Sequence, residues 1–253
     1  MGRPDGGQRA ARRRMHWFVT GTDTGVGKTD VSVALLGHAR SRGWRTAGMK
    51  PVETGCAWDG ATWRGADAER LADAATERLP MEVVCPFRFA LPAAPSVAAR
   101  SRDGTWAGLD GETEVEGASA MARGVSVEGI RRAFEAIAAT GADVVLVEGA
   151  GGLRVPVTEE HDMADLALAL GLPVLVVARD GLGTINHTAL TVDAARARGL
   201  ELAGVVLNGV LPGTDPLAVD SNAAEIERLT GCPVLGIRSH GGAWRRPFRW
   251  PQE

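Results

Sequence analysis

The sequence predicts an α/β fold, in which a single doubly wound, mostly parallel sheet carries helices on both faces. Short apolar runs rich in β-branched residues recur along the chain, and helical stretches separate most of them. The runs show no clean polar and apolar alternation, which is typical of strands buried on both faces. A helix between strands predicts parallel pairing through right-handed crossovers. With 253 residues, 45% of them hydrophobic, the chain can bury one sizeable core.

The predicted elements follow one another from the first apolar run to residue 237. The strands are residues 17–20, 46–50, 143–148, 173–178, 202–208 and 234–237, which are short aliphatic runs. The helices are residues 28–42, 66–75, 128–140, 163–170, 185–198 and 222–230. Ligands of such sheets bind beyond the carboxyl ends of the strands, so the residues after each run are candidates for a functional site.

The first strand leads into a loop that ends in Gly27, Lys28 and Thr29, and an amphipathic helix follows. Such a loop gathers backbone N–H groups around phosphate oxygens, its lysine supplies positive charge, and its hydroxyl binds Mg²⁺. The N-terminal end of the helix also attracts phosphate. The usual first glycine is replaced by Thr22, and Gly21 precedes it. The alternative is an ordinary strand-to-helix turn.

The second strand ends at Lys50, and Thr54 follows in the same connection. We expect Lys50 at the carboxyl edge of a strand neighbouring the phosphate loop, where a second lysine suits phosphoryl transfer because negative charge accumulates on the migrating group. Lys28 and Lys50 are therefore the predicted catalytic pair. The alternative for Lys50 is a solvated surface lysine before a proline.

Two acids complete a predicted metal site. Asp67 lies at the start of the second helix, where it could instead be an N-cap, and Glu148 ends a buried strand before a run of glycines. Thr29, Asp67 and Glu148 would leave positions for phosphate oxygens and water, as Mg²⁺ prefers. A capping or salt-bridged acid is the alternative for Glu148.

The later elements offer fewer chemical groups. Asn208 and Gly209 follow the strand at 202–208, where the amide could meet a purine edge, although a lone Asn is also common in turns. His161 and His187 have no partner at metal-binding spacing, so we expect satisfied or capping histidines. Cys56, Cys85 and Cys232 are scattered, as reduced thiols in a cytoplasmic protein would be.

The domain prediction is a disordered basic extension over residues 1–14, one α/β domain over 15–240 and an irregular tail over 241–253. Residues 101–125 lack apolar periodicity and read as an exposed loop insertion, and prolines after Ser239 argue against another core element. The formal net charge of −3 favours neither nucleic acid nor an anionic membrane. No window is long and apolar enough to span a bilayer.

Six segments occur in the order and context of the dethiobiotin synthetase family, which the chain resembles from about Met15 to Ile237. They are residues 20–29, 50–55, 65–67, 147–152, 183–187 and 206–208. The phosphate loop alone indicates only the large P-loop NTPase superfamily. The combination with Lys50-Pro51-Val52 and with the segment from Glu148 to Gly152 is far more specific.

The resemblance implies an ATP- and Mg²⁺-dependent ring closure in biotin synthesis. In that family 7,8-diaminononanoate and CO₂ form a carbamate, ATP phosphorylates it, and the second amine attacks the mixed anhydride to give dethiobiotin, ADP and phosphate. It also implies a homodimer whose substrate lies across the interface.

The resemblance assigns roles to residues at matching positions. Lys28 and Lys50 would stabilise the carbamate and the migrating phosphoryl group, while Thr24 and Thr54 would hold the diamine. Thr29, Asp67 and Glu148 would bind the metal. The implied nucleotide-binding residues are Gly25, Val26, Gly27, Lys28, Thr29, Asp30, Asp67, Glu148, Gly149, Ala150, Gly151, Asn208 and Gly209. The chain departs from the family at Gly25, where a Glu is common, and at residues 236–239, near the expected adenine.

Two other classes compete with this interpretation. An ATP-dependent amidoligase acting on a corrin-type carboxylate would need a glutaminase domain with a nucleophilic Cys, for which the chain has no room. A partitioning-type ATPase switch that binds DNA or membranes would carry an extra lysine five positions before Lys28, where this chain has Asp23.

Overall fold

The protein is described by a computed structural model covering residues 14–102, 105–106, 124–209, 216–239 and 242–251. The strands in these ranges are β1 (Met15–Gly21), β2 (Thr46–Met49), β3 (Val52–Thr54), β4 (Ala57–Trp58), β5 (Trp63–Arg64), β6 (Phe87–Phe89), β7 (Ser101–Arg102), β8 (Thr105–Trp106), β9 (Val144–Gly152), β10 (Val174–Arg179), β11 (Leu202–Asn208), β12 (Val234–Arg238) and β13 (Trp244–Arg246). The helices are α1 (Lys28–Ser41), α2 (Ala66–Ala74), α3 (Met81–Val84), α4 (Pro95–Ala98), α5 (Val127–Ala139), α6 (Met163–Leu170), α7 (Thr184–Ala197) and α8 (Pro216–Thr230).

The central sheet has seven strands in the order β13-β12-β11-β10-β1-β9-β2. Every adjacent pair is parallel except β12 with β13. Strand β9 lies between β1 and β2, so Lys50 follows a strand one place removed from the phosphate-loop strand, and not its direct neighbour as expected. Three two-stranded ribbons, β3-β6, β4-β5 and β7-β8, accompany this sheet.

Side chains of β9 alternate between the two faces of the sheet and enter two separate cores. Val144 and Leu146 pack with α1 and α2, whereas Val145 and Val147 pack with residues of α5, α6, α7 and α8. Helices therefore cover both faces, and the predicted doubly wound α/β fold is confirmed.

Two predicted boundaries differ from the structure by four or more residues. Strand β9 continues four residues beyond Glu148 to Gly152, since Gly21 and Gly152 still pair across β1 and β9; the glycines hid this extension because glycine is depleted in strands. Helix α8 begins at Pro216, six residues before the predicted start, and proline is well tolerated in a first helical turn.

The prediction that no core element follows Ser239 is wrong. β13 adds an antiparallel edge to the sheet, and Phe248 and Trp250 are buried beyond it. The indole of Trp250 stacks on Trp17 at 5.6 Å, with 22° between the rings. Inward residues alternate with exposed ones from Trp244 to Trp250, and prolines are compatible with such an edge because they fall outside the paired residues.

Other predictions fall mostly outside the described residues. The basic extension is described only at Arg14, and of the proposed insertion only residues 101–102, 105–106 and 124–125 are described. Among the described residues, no helix combines the length and the apolar character needed to cross a membrane.

Candidate active site

The phosphate loop joins β1 to α1 in a compact turn. Gly25 and Gly27 have positive φ angles of 73° and 85°, which glycine adopts without steric cost. A Cβ on Gly21 would lie 2.7 Å from the Asp23 carbonyl oxygen, so the glycine is needed one residue before its usual position. Gly27 is the N-cap of α1, and no described side chain caps that helix. Its first N–H groups are thus available to an anion.

Lys50 joins the two predicted acids. Its Nζ donates to Glu148 Oε1 at 2.7 Å and to Asp67 Oδ2 at 2.9 Å. Lys50 is only 4% exposed and Glu148 is fully buried. The interpretation of Lys50 as a solvated surface lysine is therefore wrong.

Glu148 also ties this group to α1. The hydroxyl of Thr29 donates to Oε1 at 2.7 Å, and that of Ser32 donates to Oε2 at 2.9 Å. Three donors on one buried carboxylate keep its oxygens in fixed positions. The structure thus brings Thr29, Lys50, Asp67 and Glu148 together from four separate segments of the chain. Ser32 was not among the predicted residues.

The charges in this group influence one another. Burial disfavours the charged form of Lys50 and acts to lower its pKa. The carboxylates of Glu148 and Asp67 outweigh this effect and raise the pKa of Lys50 well above its usual value. Burial lowers the pKa of Lys28, and the nearby positive charge of Lys50 lowers it further. Burial acts to raise the pKa of Asp67, yet the Lys50 ammonium makes the net shift downward. Lys50 is therefore firmly cationic and Asp67 firmly anionic near neutral pH.

The donor set suits a hard cation brought by a nucleotide. Thr29, Asp67 and Glu148 offer a hydroxyl and two carboxylates, which are oxygen ligands of the kind Mg²⁺ prefers. Within the described ranges, no group of three or more His, Cys, Asp or Glu side chains could hold a metal ion. Phosphate oxygens and water would have to supply the remaining ligands of a magnesium ion held by these three residues.

Asp67 does not cap its own helix. Gly65 occupies the N-cap position of α2, and the Asp67 side chain contacts Lys50 instead. Glu53 on β3 supplies the cap, since its Oε1 accepts the N–H of Asp67 and its Oε2 accepts that of Ala68, each at 2.9 Å. Sequence reasoning missed Glu53 because the contact joins residues fourteen or more positions apart.

A cleft of about 390 Å³ opens beside this group. It is lined by most of the predicted site residues. These are Thr24, Gly25, Gly27, Lys28, Thr29, Asp30, Lys50, Thr54, Asp67, Glu148, Ala150 and Gly151. Glu53 and Arg70 line it as well, and Arg70 forms an ion pair with Asp30.

Four predicted nucleotide-binding residues lie outside the cleft lining: Val26, Gly149, Asn208 and Gly209. The amide of Asn208 is engaged within the protein. Its Nδ2 donates to the Val26 carbonyl at 3.0 Å, and its Oδ1 accepts from Arg238 at 3.4 Å. Asn208 therefore braces the phosphate loop. Its contact with a purine remains a prediction.

Arg238 is a further residue that sequence reasoning missed. Its guanidinium is nearly buried and lies 5.6 Å from the ring centroid of Trp244. The position of Arg238 in the segment 236–239 suggested a departure from the family pattern but gave no partner, because Trp244 was predicted to lie in an irregular tail.

The described histidines and the three cysteines do not line this cleft. His161 Nδ1 lies 3.2 Å from the Thr158 hydroxyl in a local turn, as expected for a satisfied histidine. Cys56, Cys85 and Cys232 are all free and buried.

Comparisons with known proteins agree with this geometry. A model of the AAA domain family matches residues 16–238. An ATP-dependent dethiobiotin synthetase BioD from Anaeromyxobacter sp. (strain Fw109-5) is 50% identical over 223 residues, which is 88% of this chain and 89% of that protein. The enzyme of the same name from Anaeromyxobacter dehalogenans (strain 2CP-C) is 51% identical over 220 residues, 87% of each chain.

One solved structure adds support for the fold alone. The signal recognition particle 54 kDa protein from Aeropyrum pernix K1, in complex with GDP, has a TM-score of 0.55 and 15% identity. The match covers 92% of this chain and 43% of that longer one. A matching domain model over most of the chain, together with curated relatives at half identity over nearly their whole length, shows that this chain is an AAA-domain protein and belongs to the ATP-dependent dethiobiotin synthetase family.

Proposed function

We propose that the protein closes the ring of dethiobiotin from 7,8-diaminononanoate, CO₂ and ATP, releasing ADP and phosphate. The observation that carries the proposal is the meeting of Lys28, Lys50, Asp67 and Glu148 beside a phosphate loop in one cleft. Relatives named for this activity are half identical over most of the chain. The two lysines match the need of the reaction, because negative charge develops on both a carbamate and a phosphoryl group.

The reaction has three steps. An amine of the substrate attacks CO₂ and loses a proton, giving a carbamate. A carbamate oxygen then attacks the γ-phosphorus of ATP and ADP leaves. The second amine attacks the carbamate carbon and loses a proton, phosphate leaves, and the cyclic urea forms.

Lys50 is the residue best placed to hold the carbamate. An ammonium carries three N–H donors, and Asp67 and Glu148 take two of them. The third donor is left for a substrate oxygen. Fixed donors of this kind stabilise developing charge more effectively than water does, because they need no reorganisation.

Lys28 has the more adjustable position. Its Nζ makes a long contact of 3.4 Å with the Asp23 carbonyl, and burial already lowers its pKa. Phosphate oxygens would replace this weak contact with charge-assisted hydrogen bonds. We assign Lys28 to the β- and γ-phosphates of the nucleotide.

Thr29, Asp67 and Glu148 would hold Mg²⁺, which neutralises charge on the phosphates of bound ATP. Thr24 and Thr54 line the same cleft and would bind the amine end of the substrate.

A dimer would complete the site along the length of the substrate. Leu182, between β10 and α7, is 98% exposed, and an apolar side chain of this kind suits a subunit interface. The N-terminal end of α7 follows directly and could receive the substrate carboxylate of the partner. We also propose a cytoplasmic location, where free thiols persist.

Substrate-dependent phosphate release tests this proposal. A synthetase should release phosphate from MgATP only when both diaminononanoate and bicarbonate are present. Rapid phosphate release without the diamine would instead favour an ATPase switch and would contradict the proposal.

A further inference from the structure

Glu53 caps helix α2 from a different segment of the chain. It lies on β3, three residues after Lys50, and is only 7% exposed although it lines the cleft. Each of its two oxygens accepts one backbone N–H at the start of α2, that of Asp67 or that of Ala68. This satisfies two of the helix donors that lack an intrahelical partner.

Gly65 makes room for this contact. A Cβ at that position would lie 2.4 Å from Glu53 Oε2 and 2.7 Å from its Cδ. The φ angle of Gly65 is −98°, which any residue adopts. The glycine is therefore needed for the space that it leaves, and not for its conformational freedom.

A simpler cap would stabilise α2 equally well. Ser, Thr, Asp or Asn at position 65 could accept the same N–H groups, without burying a carboxylate from β3. The cap supplied by Glu53 differs from such a local cap because it connects two separate segments of the chain. It joins the segment that carries Lys50 to the backbone of Asp67, whose carboxylate in turn contacts Lys50.

We propose that Glu53 is a positioning residue for the synthetase reaction. It fixes the first turn of α2 and so holds the Asp67 carboxylate against Lys50, where that carboxylate would serve as a ligand of the metal bound with ATP. The inference rests on the proposed function, because it takes Asp67 as a ligand of the metal. Glu53 itself acts only through the backbone of Asp67 and Ala68.

Glu53→Gln is the first test. The amide offers one acceptor oxygen and turns an NH₂ group towards the other helix N–H, so one of the two contacts is lost. Mn²⁺ serves as the probe, and its binding to the protein with a non-hydrolysable ATP analogue is measured by electron paramagnetic resonance. We expect about 10- to 100-fold weaker Mn²⁺ binding, the usual cost of losing a residue that orients a metal ligand.

Asp162→Asn is the matched control. Asp162 caps α6 by accepting the N–H groups of Ala164 and Asp165, each at 3.0 Å, and it does not line the cleft. Asn keeps an acceptor oxygen for both N–H groups but loses the ion pair of Oδ2 with Arg198. Asp162→Asn should therefore lower thermal stability, as Glu53→Gln does, but leave the Mn²⁺ affinity unchanged. Equal Mn²⁺ affinities for wild type and Glu53→Gln would overturn the inference.

Gly65→Ala provides a second variant, which retains the Glu53 carboxylate but pushes it away from the N–H groups of α2. It should also weaken Mn²⁺ binding. The double variant of Glu53→Gln and Gly65→Ala should lose less Mn²⁺ binding free energy than the two single variants lose together, because both changes break the same contact. Full additivity would overturn the inference. These Mn²⁺ binding measurements do not depend on ring closure. A wild-type protein that makes no dethiobiotin would therefore refute the proposed function, but the role of Glu53 in metal binding could still be tested.

Discussion

At the scale of single residues, the centre of the site is a lysine buried between two acids. Lys50 is stable there only because Asp67 and Glu148 compensate its charge, since an unpaired buried charge is costly. The same arrangement keeps a cation at the place where a carbamate would form. With the proposed role of Lys50, stability and catalysis would depend on one side chain, and a useful test must separate the two.

Lys50→Ala should lower turnover at least about 100-fold, as the loss of one charge-stabilising donor does. It should also destabilise the fold by about 3–5 kcal/mol, because Glu148 is left buried and unpaired. Adding Glu148→Gln removes that buried charge and should restore most of the stability without restoring turnover. Urea unfolding and steady-state kinetics measure the two effects, and near-normal turnover in Lys50→Ala would contradict the role of Lys50.

Asp67 gives a pH-dependent prediction. The Lys50 ammonium lowers the folded-state pKa of Asp67, so the ionised carboxylate stabilises the protein above its unfolded pKa of about 4. That stabilisation is lost as the pH falls through the lower folded pKa. The difference in unfolding free energy between wild type and Asp67→Asn should therefore shrink below about pH 4. A difference that stays constant from pH 7 to pH 3 would show that Asp67 is not ionised against Lys50.

At the scale of the elements, the parts of the site that could be predicted lie towards the carboxyl ends of parallel strands. Lys50 comes directly after β2, and Glu148 lies within β9 four residues before its end, near the edge where ligands of such sheets bind. Glu53 could not be found this way, because its role depends on how closely β3 approaches the first turn of α2. The C-terminal strand was missed for another reason: its alternation is carried by Trp244, Arg246, Phe248 and Trp250, and nearby prolines suggested a loop.

The C-terminal segment should contribute strongly to stability. Trp250 packs on Trp17 and Phe248 and is 2% exposed, so Trp250→Ala should cost about 3–5 kcal/mol. Trp58 is 55% exposed, and Trp58→Ala should cost less than about 1 kcal/mol. Urea unfolding of the two variants provides the comparison. Equal costs would mean that the tail is not part of the core in solution.

At the scale of the whole molecule, the sheet places the phosphate loop of β1 and the acid of β9 side by side, with β2 beyond them. The carboxyl edge that they share forms one side of the cleft. The residues assigned there would contact only the reacting end of the proposed diamine, so its carboxylate tail would need another surface. A two-fold symmetric dimer would provide that surface twice.

Leu182→Asp tests the proposed dimer. A charge at this exposed apolar position should shift the protein towards the monomer in sedimentation, and the KM for diaminononanoate should rise. Leu229→Asp, at another exposed leucine on α8, serves as the control and should leave the dimer intact. Wild-type protein that sediments as a fully active monomer at the assay concentration would rule the dimer out.

The central claim is that the cleft catalyses ring closure on a carbamate. The most direct measurement is mass spectrometry of the product formed from diaminononanoate, carbon-13 bicarbonate and MgATP. We expect dethiobiotin that carries one labelled carbon, with one ADP formed for each ring closed and no product when Lys50 is replaced by Ala. ATP hydrolysis without labelled dethiobiotin, or no use of ATP at all, would contradict the claim.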